Sequence, residues 1–581
     1  MRWNRESVDA EIIVCGGGLS GLCVARQLRR EVPDARVILI ERTPSPLPEA
    51  AHKVGESSVE LGSHYFGHTL GLDAYLRERQ LIKNGLRFFP GGGAMPLAER
   101  TEIGPPALPV VPSFQLDRGR LENDLRAMCE ADGVVMRLGV SVKDISLGEG
   151  EALHHVELSD GTTLRAPFVI DASGRLQLLA RKLGLRRENG HAAHAAWFRV
   201  EGRLDPGMLV PKEDAAWHRR DPDDIRWLST NHLMGPGYWF WLIPLSSGYT
   251  SVGIVVHGEL HPFDTINTLE RALAWIARHE PVVTPILDSY EVADFRCLKD
   301  YSYGSARVFG ERWACVGEAG LFVDPFYSPG SDFIALANTY ATQLAAATLR
   351  GEDTMARADF YDAFYRRTAH IATETYRLAA HAYGRPAIMA AKVYWDNFSY
   401  WSFLCQYFFQ DLIRLPVEEQ APVWAVGDRF AELNLRAQRL FAEWALRASD
   451  LPERREIVMP PIPSMLANLH LDLAKRMTKE EALAYMNEKA DLATELLGEL
   501  LLRAVCAVGP EQGRALVDAL DARSWDLGGL SARLDVERGD SRKRRQRLSR
   551  LARDVERTIG RLELRTASSI EEIGAMMVAP R

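Results

Sequence analysis

The first strongly patterned segment of the chain is EIIVCGGGLSGLCVARQL, near the N-terminus. An apolar run, Ile12–Cys15, precedes three glycines, and apolar residues such as Leu22 and Leu28 then recur at helical spacing. A short apolar run is typical of a buried strand, and the spacing of three to four residues is typical of a helix. A second apolar run, ARVILIE, ends at Glu41. The pattern predicts a strand, a helix and a second strand.

Midway along the chain, the segment GYWFWLIP shows the alternation of a strand. A period of two places Trp239 and Trp241 on one face. Pro244 is expected to end the strand because proline cannot donate to a sheet ladder. The two rings either fill a core or also wall off a space that must stay dry. From about Arg357 onward helical periodicity dominates, which predicts a helical C-terminal region.

The three glycines Gly16, Gly18 and Gly21 form the pattern GxGxxG at the turn from strand to helix. The first permits a tight turn, the second lets the backbone approach a pyrophosphate, and the third lets the helix lie close to the sheet. The helix N-terminus then offers free N–H groups to the phosphates. Glu41 follows about 20 residues later, where an acidic side chain holds a ribose hydroxyl. The segment predicts a bound adenine dinucleotide.

Three later segments favour FAD over NAD. One predicts a helix that begins near Arg118, one a strand that ends at Asp171 in DASG, and one a strand followed by Gly317 and Glu318. In this order they resemble the FAD-binding pattern of the glutathione-reductase-type flavin monooxygenases, which usually have Asp at the position of Glu318. The chain has no second GxGxxG for a nicotinamide domain. We therefore expect a separate flavin reductase to supply reduced FAD.

The resemblance, together with the glycine motif, implies a set of cofactor-binding residues along the chain. These are Gly16, Gly18, Leu19, Ser20, Gly21, Glu41, Arg42, Val54, Gly55, Glu56, Ser57, Arg118, Asp171, Ser173, Gly174, Gly317, Glu318, Asp324, Pro325 and Gly330.

The predicted fold class is α/β, with a Rossmann-like FAD-binding domain, an inserted mixed β-sheet substrate domain and an α-helical C-terminal region. A chain of 581 residues is too long for one ordinary core. We expect the core with the FAD site over residues 1–355, its sheet-rich substrate subdomain at about 190–300, and the helical domain over residues 356–581.

Composition narrows the classes of function. A net charge of −8 argues against a nucleic-acid partner, because phosphate neutralisation needs a basic surface. The seven cysteines include no CxxC pair, and their odd number is typical of reduced thiols in the cytoplasm. The charged N-terminus does not resemble a signal peptide, and no apolar run is long enough for a transmembrane segment. A cytoplasmic protein is expected.

Trp239, Trp241, Ile243 and Pro244 match WxWxIP, and this barrier motif resembles the signature of the flavin-dependent halogenases. Three further segments resemble this tryptophan halogenase-like family: KVGES near the flavin, DYSYGSARVFG, and the loop DPFYSPG that closes on the isoalloxazine. The resemblance covers about residues 8–350. It implies an FAD-dependent halogenase of secondary metabolism with chloride or bromide as co-substrate.

The resemblance also implies a mechanism with two sites. Reduced FAD and oxygen would oxidise halide, held at a loop that includes Ser328, Pro329, Ser331 and Asp332, to hypohalous acid. The acid would travel through a tunnel to a catalytic lysine, which hydrogen-bonds it or forms a haloamine. By motif order this lysine is Lys83. The alternatives are a solvated lysine at a helix end and a role for Lys53 instead.

The residues of this expected halide loop do not decide which reaction the protein catalyses. Asp332 at the start of a helix is expected to cap free N–H groups. A carboxylate near a halide site would also repel the anion, by about 1 kcal/mol at 4 Å in water. The alternative function is therefore a halide-independent flavin monooxygenase or oxidoreductase, and a third is a non-catalytic flavoprotein. Tyr327 stands where tryptophan halogenases carry a glutamate, which favours a phenol, a pyrrole or a carrier-bound substrate over free tryptophan.

Two C-terminal segments have several interpretations. YWDNFSYWSFLCQYFF is a buried helix, the wall of an aromatic substrate pocket, or a membrane-surface helix. The basic run SRKRRQRLSR, residues 541–550, is either a solvated helix face or a docking surface for an acidic acyl carrier protein.

Overall fold

The computed structural model describes residues 8–49, 53, 55–448, 464–527, 530–538, 543–560, 562 and 570–577. Val54, one of the expected cofactor-binding residues, lies outside these ranges, as do the first two residues of the basic run.

The first large sheet is the Rossmann-like one that the N-terminal pattern predicts. Its strands lie in the order β18, β19, β10, β1, β2, β6, and all pairs except β18 with β19 are parallel. Cys15 lies opposite both Ile40 and Asp171, and Asp171 lies opposite Cys315. The loops that follow these strands therefore meet at one edge of the sheet. The strands are β1 (Ile12–Cys15), β2 (Val37–Glu41), β6 (Val135–Leu138), β10 (Phe168–Asp171), β18 (Phe309–Gly310) and β19 (Trp313–Cys315).

The second large sheet is mixed, as predicted. Its order is β16, β12, β15, β14, β13, β4, with β4 parallel to β13 and the other pairs antiparallel. Strand β4 comes from outside residues 190–300, so the sheet extends beyond that range. The strands are β4 (Leu86–Pro90), β12 (Ala193–Glu201), β13 (Thr230–Gly235), β14 (Tyr238–Pro244), β15 (Tyr249–His257) and β16 (Arg296–Leu298).

Shorter strands and nine helices surround these sheets in residues 8–350. The strands are β3 (Leu81–Lys83) with β5 (Ser113–Gln115), β7 (Val142–Ser146) with β8 (His154–Leu158) and β9 (Thr163–Ala166), and β11 (Arg186–Arg187) with β17 (Gly304–Ser305). The helices are α1 (Leu19–Glu31), α2 (Glu60–His64), α3 (Asp73–Arg79), α4 (Arg118–Ala131), α5 (Leu178–Lys182), α6 (Ala215–His218), α7 (Leu269–His279), α8 (Thr284–Leu287) and α9 (Gly330–Arg350).

The C-terminal region is helical, and its apolar faces join the same hydrophobic core as the Rossmann-like sheet. A π-helical turn, Tyr400–Leu404, separates α11 from α12. None of the described helices is both long and apolar enough to cross a bilayer. The helices are α10 (Met355–Arg377), α11 (Pro386–Ser399), α12 (Cys405–Phe409), α13 (Ala421–Arg447), α14 (Ser464–Asp472), α15 (Lys479–Val508), α16 (Pro510–Leu520), α17 (Leu530–Arg538), α18 (Arg544–Arg547), α19 (Arg550–Ile559) and α20 (Ile570–Met577).

Candidate active site

The glycine-rich turn after β1 has two kinds of glycine. A Cβ at Gly16 would lie 2.2 Å from the Ala172 carbonyl oxygen, and one at Gly21 would lie 1.9 Å from the Gly16 carbonyl oxygen. Both glycines are therefore required by close backbone packing. A Cβ at Gly18, Gly174 or Gly330 would instead meet nothing within 4 Å. These three glycines border open space, which fits the close approach of a dinucleotide backbone.

The polar residues at the strand ends are fixed by main-chain contacts. The Glu41 carboxylate accepts hydrogen bonds from the N–H groups of Gly17 and Thr43, both at 2.8 Å. The Asp171 carboxylate, which is buried, accepts from Ser173 and Leu179. Asp171 thus holds the turn that presents Ser173 and Gly174, and its own oxygens face the protein. Glu41 remains partly exposed at the edge of the sheet, where it could hold a ribose hydroxyl.

Five more of the expected cofactor residues lie on or beside the same edge. Leu19 and Ser20 begin α1, and the Ser20 hydroxyl donates to Asn338 of α9 at 3.2 Å. Gly317 has φ of +58°, and a Cβ there would approach Ser20 to 2.9 Å. Glu318 lies 3.9 Å from Arg175, measured from Oε2 to Nη1. Arg42 follows β2 and is exposed.

Residues 53 and 55–57 contact helix α4 and strand β12. Glu56 is buried and accepts from Arg199 at 2.6 Å, so this carboxylate is held by the protein. The carbonyl oxygen of Gly55 accepts from Arg118 at 3.4 Å. Lys53 pairs with Glu122 and lies apart from the cavity that Lys83 lines. Ser57 is the member of this segment that contacts the proposed lysine.

The loop from Asp324 to Gly330 is anchored from within the protein. The buried Asp324 carboxylate accepts from Phe326 N–H at 2.9 Å and from the Tyr301 hydroxyl, and it contacts His191 Nε2 at 2.8 Å. Its side chain is therefore used to fix the loop, which leaves the main chain for contact with a cofactor. The sequence analysis includes Tyr301 only as part of the segment DYSYGSARVFG, and nothing in the local sequence pattern pointed to His191.

The same loop is strained at one residue. Ser328 has φ of +58°, a left-handed conformation that is unusual for a residue with a Cβ. It lies between Pro325 and Pro329, and α9 begins directly after Pro329. Strained backbone of this kind clusters at functional sites. The conformation turns the chain so that the N-terminus of α9 follows immediately.

The two tryptophans of the barrier motif lie on one face of β14, as the alternation predicts. Trp239 and Trp241 belong to the main core, whereas Phe240 belongs to a second core on the other face of the sheet. The strand ends at Pro244, as predicted, with Ile243 buried just before it. The ring of Trp239 packs against Phe326 of the loop from Asp324 to Gly330, with 5.5 Å between the ring centroids. Phe326 also packs against Phe88 of β4 and His232 of β13, so the loop rests on this face of the sheet.

Lys83 ends strand β3, so the expectation of a solvated lysine at a helix end is wrong. Its side chain is fully buried, and its amine donates to the Ser57 hydroxyl and the Ser58 carbonyl, both at 2.8 Å. Burial lowers the pKa of Lys83 to about 7, against the opposing charges of Glu60 and Asp332. The amine is therefore uncharged in a substantial fraction of molecules near neutral pH.

Four carboxyl groups line the same cavity as Lys83, and two of them, Glu60 and Asp332, lie close enough for their charges to act on its amine. Asp332 accepts from Gly62 N–H at 2.8 Å and from the Tyr400 hydroxyl at 2.7 Å. The expected capping of α9 by Asp332 is wrong, because its oxygens bond to α2 and to the π-helical turn. Burial raises the pKa of Asp332 to about 7. Glu60, which the sequence analysis missed, has Oε1 at 3.3 Å from His470 Nε2.

A cavity of about 960 Å³ surrounds this cluster. Its wall is mostly apolar and includes the aromatic C-terminal segment, which therefore serves both as buried core and as pocket wall. Tyr327, at the place of a glutamate in tryptophan halogenases, also lines it and donates to Asp396 at 2.7 Å. The aromatic residues on the wall include Phe88, Tyr376, Tyr394, Tyr400, Trp401 and Phe403.

Two family models match the chain. The model of the tryptophan halogenase family matches residues 95–383, and a model of the NAD(P)-binding Rossmann-like domain matches residues 14–78. Together they cover the glycine-rich turn, the barrier motif and the loop from Asp324 to Gly330, whereas Lys83 and strand β4 lie between the two matched ranges.

Curated relatives and solved structures agree with these models. The chain is 26% identical to the flavin-dependent halogenase chlA of Dictyostelium discoideum over 68% of this chain and 70% of the relative. It is 29% identical to 1H-pyrrole-2-carbonyl-[peptidyl-carrier protein] chlorinase of Pseudomonas fluorescens over 38% of this chain and 47% of the relative. The structure of halogenase PltM in complex with phloroglucinol and FAD superposes with a TM-score of 0.61 at 15% identity, over 84% of this chain and 96% of that one.

The Rossmann-like sheet, its open glycines and the matched models define an FAD-dependent oxidoreductase. The chain belongs to the tryptophan halogenase family, whose members include the flavin-dependent halogenases.

Proposed function

We propose that this protein halogenates an electron-rich aromatic ring by the action of hypohalous acid at Lys83. The observation that carries the proposal is the environment of the Lys83 amine. The amine is buried beside an apolar cavity, has a lowered pKa, and donates two hydrogen bonds, to the Ser57 hydroxyl and the Ser58 carbonyl. A neutral amine with a free lone pair is the form that reacts with an electrophilic halogen.

FAD fits the edge of the Rossmann-like sheet, and Gly18, Gly174, Gly330 and Glu41 are the residues that would hold it. When bound in its reduced form, FAD would provide, together with molecular oxygen, the two oxidising equivalents that convert chloride or bromide to hypohalous acid. We propose the loop around Ser328 and Ser331 as the halide site, since the N-terminal end of α9 there carries a partial positive charge. The reduced flavin would come from a separate reductase.

Lys83 can act on hypohalous acid in two ways. The neutral amine can attack the halogen of hypohalous acid, so that an N–X bond forms as the O–X bond breaks, and the departing hydroxide takes the amine proton and leaves as water. The ammonium can instead donate a hydrogen bond to the oxygen and polarise the O–X bond. In either case a ring carbon takes the halogen, and the ring proton must then be accepted by a base. Asp332 and Glu60 are the carboxyl groups of the cavity placed for that step.

The barrier motif supports the same proposal. Trp239 packs on Phe326 of the loop, and both rings are buried. The rings would keep an organic substrate away from the flavin while hypohalous acid passes. A dry, shaped route is needed because this oxidant reacts with water-exposed side chains.

The cavity supports a ring-bearing substrate larger than a single phenol. A volume of about 960 Å³ is at the upper end of the range for small-molecule sites. Phenols, pyrroles and carrier-bound acyl groups are the proposed classes. One relative's name specifies a carrier-bound pyrrole.

A halide-independent oxidation is the second candidate, and Asp332 is the observation that favours it. When ionised, this carboxylate would repel a halide bound near the start of α9. Its raised pKa reduces that repulsion, since the group is partly neutral at pH 7. The halogenase proposal is therefore the better supported of the two.

The test is a reaction with FAD, a flavin reductase, NADH and bromide against phenols, pyrroles and indoles, free and carrier-bound. Mass spectrometry should show the bromine isotope doublet in the product. The variant Lys83→Ala should lose the product while it still binds FAD and consumes reduced flavin. The control Lys53→Met should keep the product. An oxygen-mass gain that is indifferent to bromide would establish the second candidate instead.

A further inference from the structure

A second, smaller cavity adjoins the one that contains Lys83. It has a volume of about 280 Å³ and shares Ser464, Asp554 and Arg557 with the larger cavity. Its remaining lining residues are all arginines. They come from α18 and α19, and they are Arg545, Arg550 and Arg553.

With Arg557, these arginines give the cavity four guanidinium groups. None of the four forms a side-chain hydrogen bond or an ion pair within the part of the chain that the structure describes. All four residues are exposed. Neighbouring Arg544 differs, since it is buried and pairs with Glu537 and Glu556. The cluster thus concentrates positive charge that the fold leaves uncompensated.

The single acid of this cavity does not neutralise the cluster. Asp554 accepts hydrogen bonds from the Ser464 N–H and hydroxyl, from Met465 N–H and from the Tyr394 hydroxyl. Its carboxylate therefore fixes the start of α14 against α19, and within the described part of the chain it forms no ion pair with the arginines of the cavity. Like charges held close together repel, and a bound anion would relieve that repulsion.

We propose that the four-arginine cavity is an anion subsite that binds a phosphate or carboxylate borne by the substrate, at the end remote from the ring that reacts at Lys83. This proposal rests on the proposed function. Guanidinium groups bind such oxyanions through paired N–H donors. The two adjoining cavities then divide the substrate, with the aromatic part in the apolar cavity and the anion among the arginines.

The anion has two possible sources, a free aromatic acid or the phosphodiester of a carrier protein's pantetheine arm, and two matched pairs of probes distinguish them. Calorimetry on the full FAD-loaded chain would compare phosphopantetheine with pantetheine, and 4-hydroxybenzoate with its methyl ester. In at least one pair the anionic member should bind about tenfold more tightly, as expected for about 1.4 kcal/mol from charge-assisted hydrogen bonds. The pair that shows the preference identifies the source.

The double variant Arg553→Gln/Arg557→Gln should abolish the preference. The control Arg547→Gln, an exposed arginine of α18 outside the cavity, should retain it. The preference should also weaken as sodium chloride increases, which a folding defect in the double variant would not mimic. Equal affinity within both pairs, or an equal loss in the control, would overturn the proposal. Because binding is measured without turnover, failure of halogenation would leave this result interpretable.

Discussion

The Tyr400 hydroxyl donates to the Asp332 carboxylate, with 2.7 Å between Oη and Oδ2. The same hydroxyl accepts from Leu61 N–H at 3.2 Å. One tyrosine of the C-terminal region thus links α2 with the start of α9 beside Lys83. The helical region is therefore part of the candidate active site, since its contacts set the charge state of a carboxyl group there.

Tyr400→Phe should alter the pH dependence of turnover. Loss of the donor leaves Asp332 with only the Gly62 N–H, so its pKa should rise further above about 7. A shift of about one unit is expected for the loss of one such hydrogen bond. The measurement is kcat against pH with bromide in excess. Tyr394→Phe is the control, because Tyr394 lines the same cavity but donates to Asp554. An unchanged profile in Tyr400→Phe would show that Asp332 does not contribute to turnover.

Asp332→Asn should change the dependence on bromide. In the native protein, Asp332 ionises and Lys83 loses its proton as pH rises through about 7. Both changes make the binding of an anion in the cavity less favourable. Glu60 is the third titratable group of the cluster. Burial raises its pKa, but His470, a main-chain hydrogen bond and the charge of Lys83 together hold the pKa below its ordinary value. The KM for bromide should therefore rise with pH in the native protein and rise less in Asp332→Asn. The same slope in both proteins would exclude Asp332 as the source of repulsion.

The Rossmann-like part could be predicted from sequence because its chemistry is local. The glycine-rich turn, Arg42 and the turn at Ser173 and Gly174 each directly follow a strand. Parallel pairing alone brings the ends of these strands, β1, β2 and β10, to one edge of the sheet. The alternation of β14 likewise fixed the common face of Trp239 and Trp241, since side chains alternate along any strand.

The cluster around Lys83 could not be predicted in the same way. Leu61 and Tyr400 are 339 residues apart in sequence, and Gly62 and Asp332 are 270 apart. Such contacts depend on how helices pack, and no local pattern encodes that. The partners His470 of Glu60 and His191 of Asp324 are absent from the sequence analysis for the same reason.

Trp239→Leu should uncouple oxidation from halogenation. Loss of the ring opens a gap beside Phe326 through which hypohalous acid can escape. Product formed per NADH consumed should fall, and free hypobromous acid, trapped by an added reactive phenol, should increase. Phe240→Leu is the matched control, because Phe240 is a buried aromatic residue of the same strand on the opposite face. Equal uncoupling in both variants would assign the effect to general loosening of the sheet.

Gly18→Ala should remove FAD without unfolding the protein. A Cβ at this position meets no protein atom within 4 Å, and φ of −79° is accessible to alanine. The added methyl group would occupy the space that the pyrophosphate needs. The absorbance of bound flavin after desalting should be lost, and the melting temperature of the apoprotein should stay unchanged. Gly498→Ala in α15, where a Cβ makes ordinary contact at 3.7 Å with Leu527, should keep the flavin. Full flavin retention in Gly18→Ala would place the cofactor elsewhere.

The pH dependence of the melting temperature of Lys83→Met, compared with that of the native protein, should show whether the buried amine is charged. The folded chain has a Lys83 pKa of about 7, whereas the unfolded chain has the ordinary value of 10.5. Between these values the unfolded state holds a proton that the folded state lacks, so this residue makes stability rise with pH by up to about 1.4 kcal/mol per unit. The methionine variant lacks that contribution. Its advantage in melting temperature over the native apoprotein should therefore be greater at about pH 7.5 than at about pH 9.5, since it declines as pH rises from the folded toward the unfolded pKa. Lys143→Met, at an exposed position, should show a difference that does not vary with pH. A constant difference for Lys83→Met as well would mean that the amine stays charged in the folded protein, and a haloamine at Lys83 would then be excluded in favour of hydrogen bonding by the ammonium.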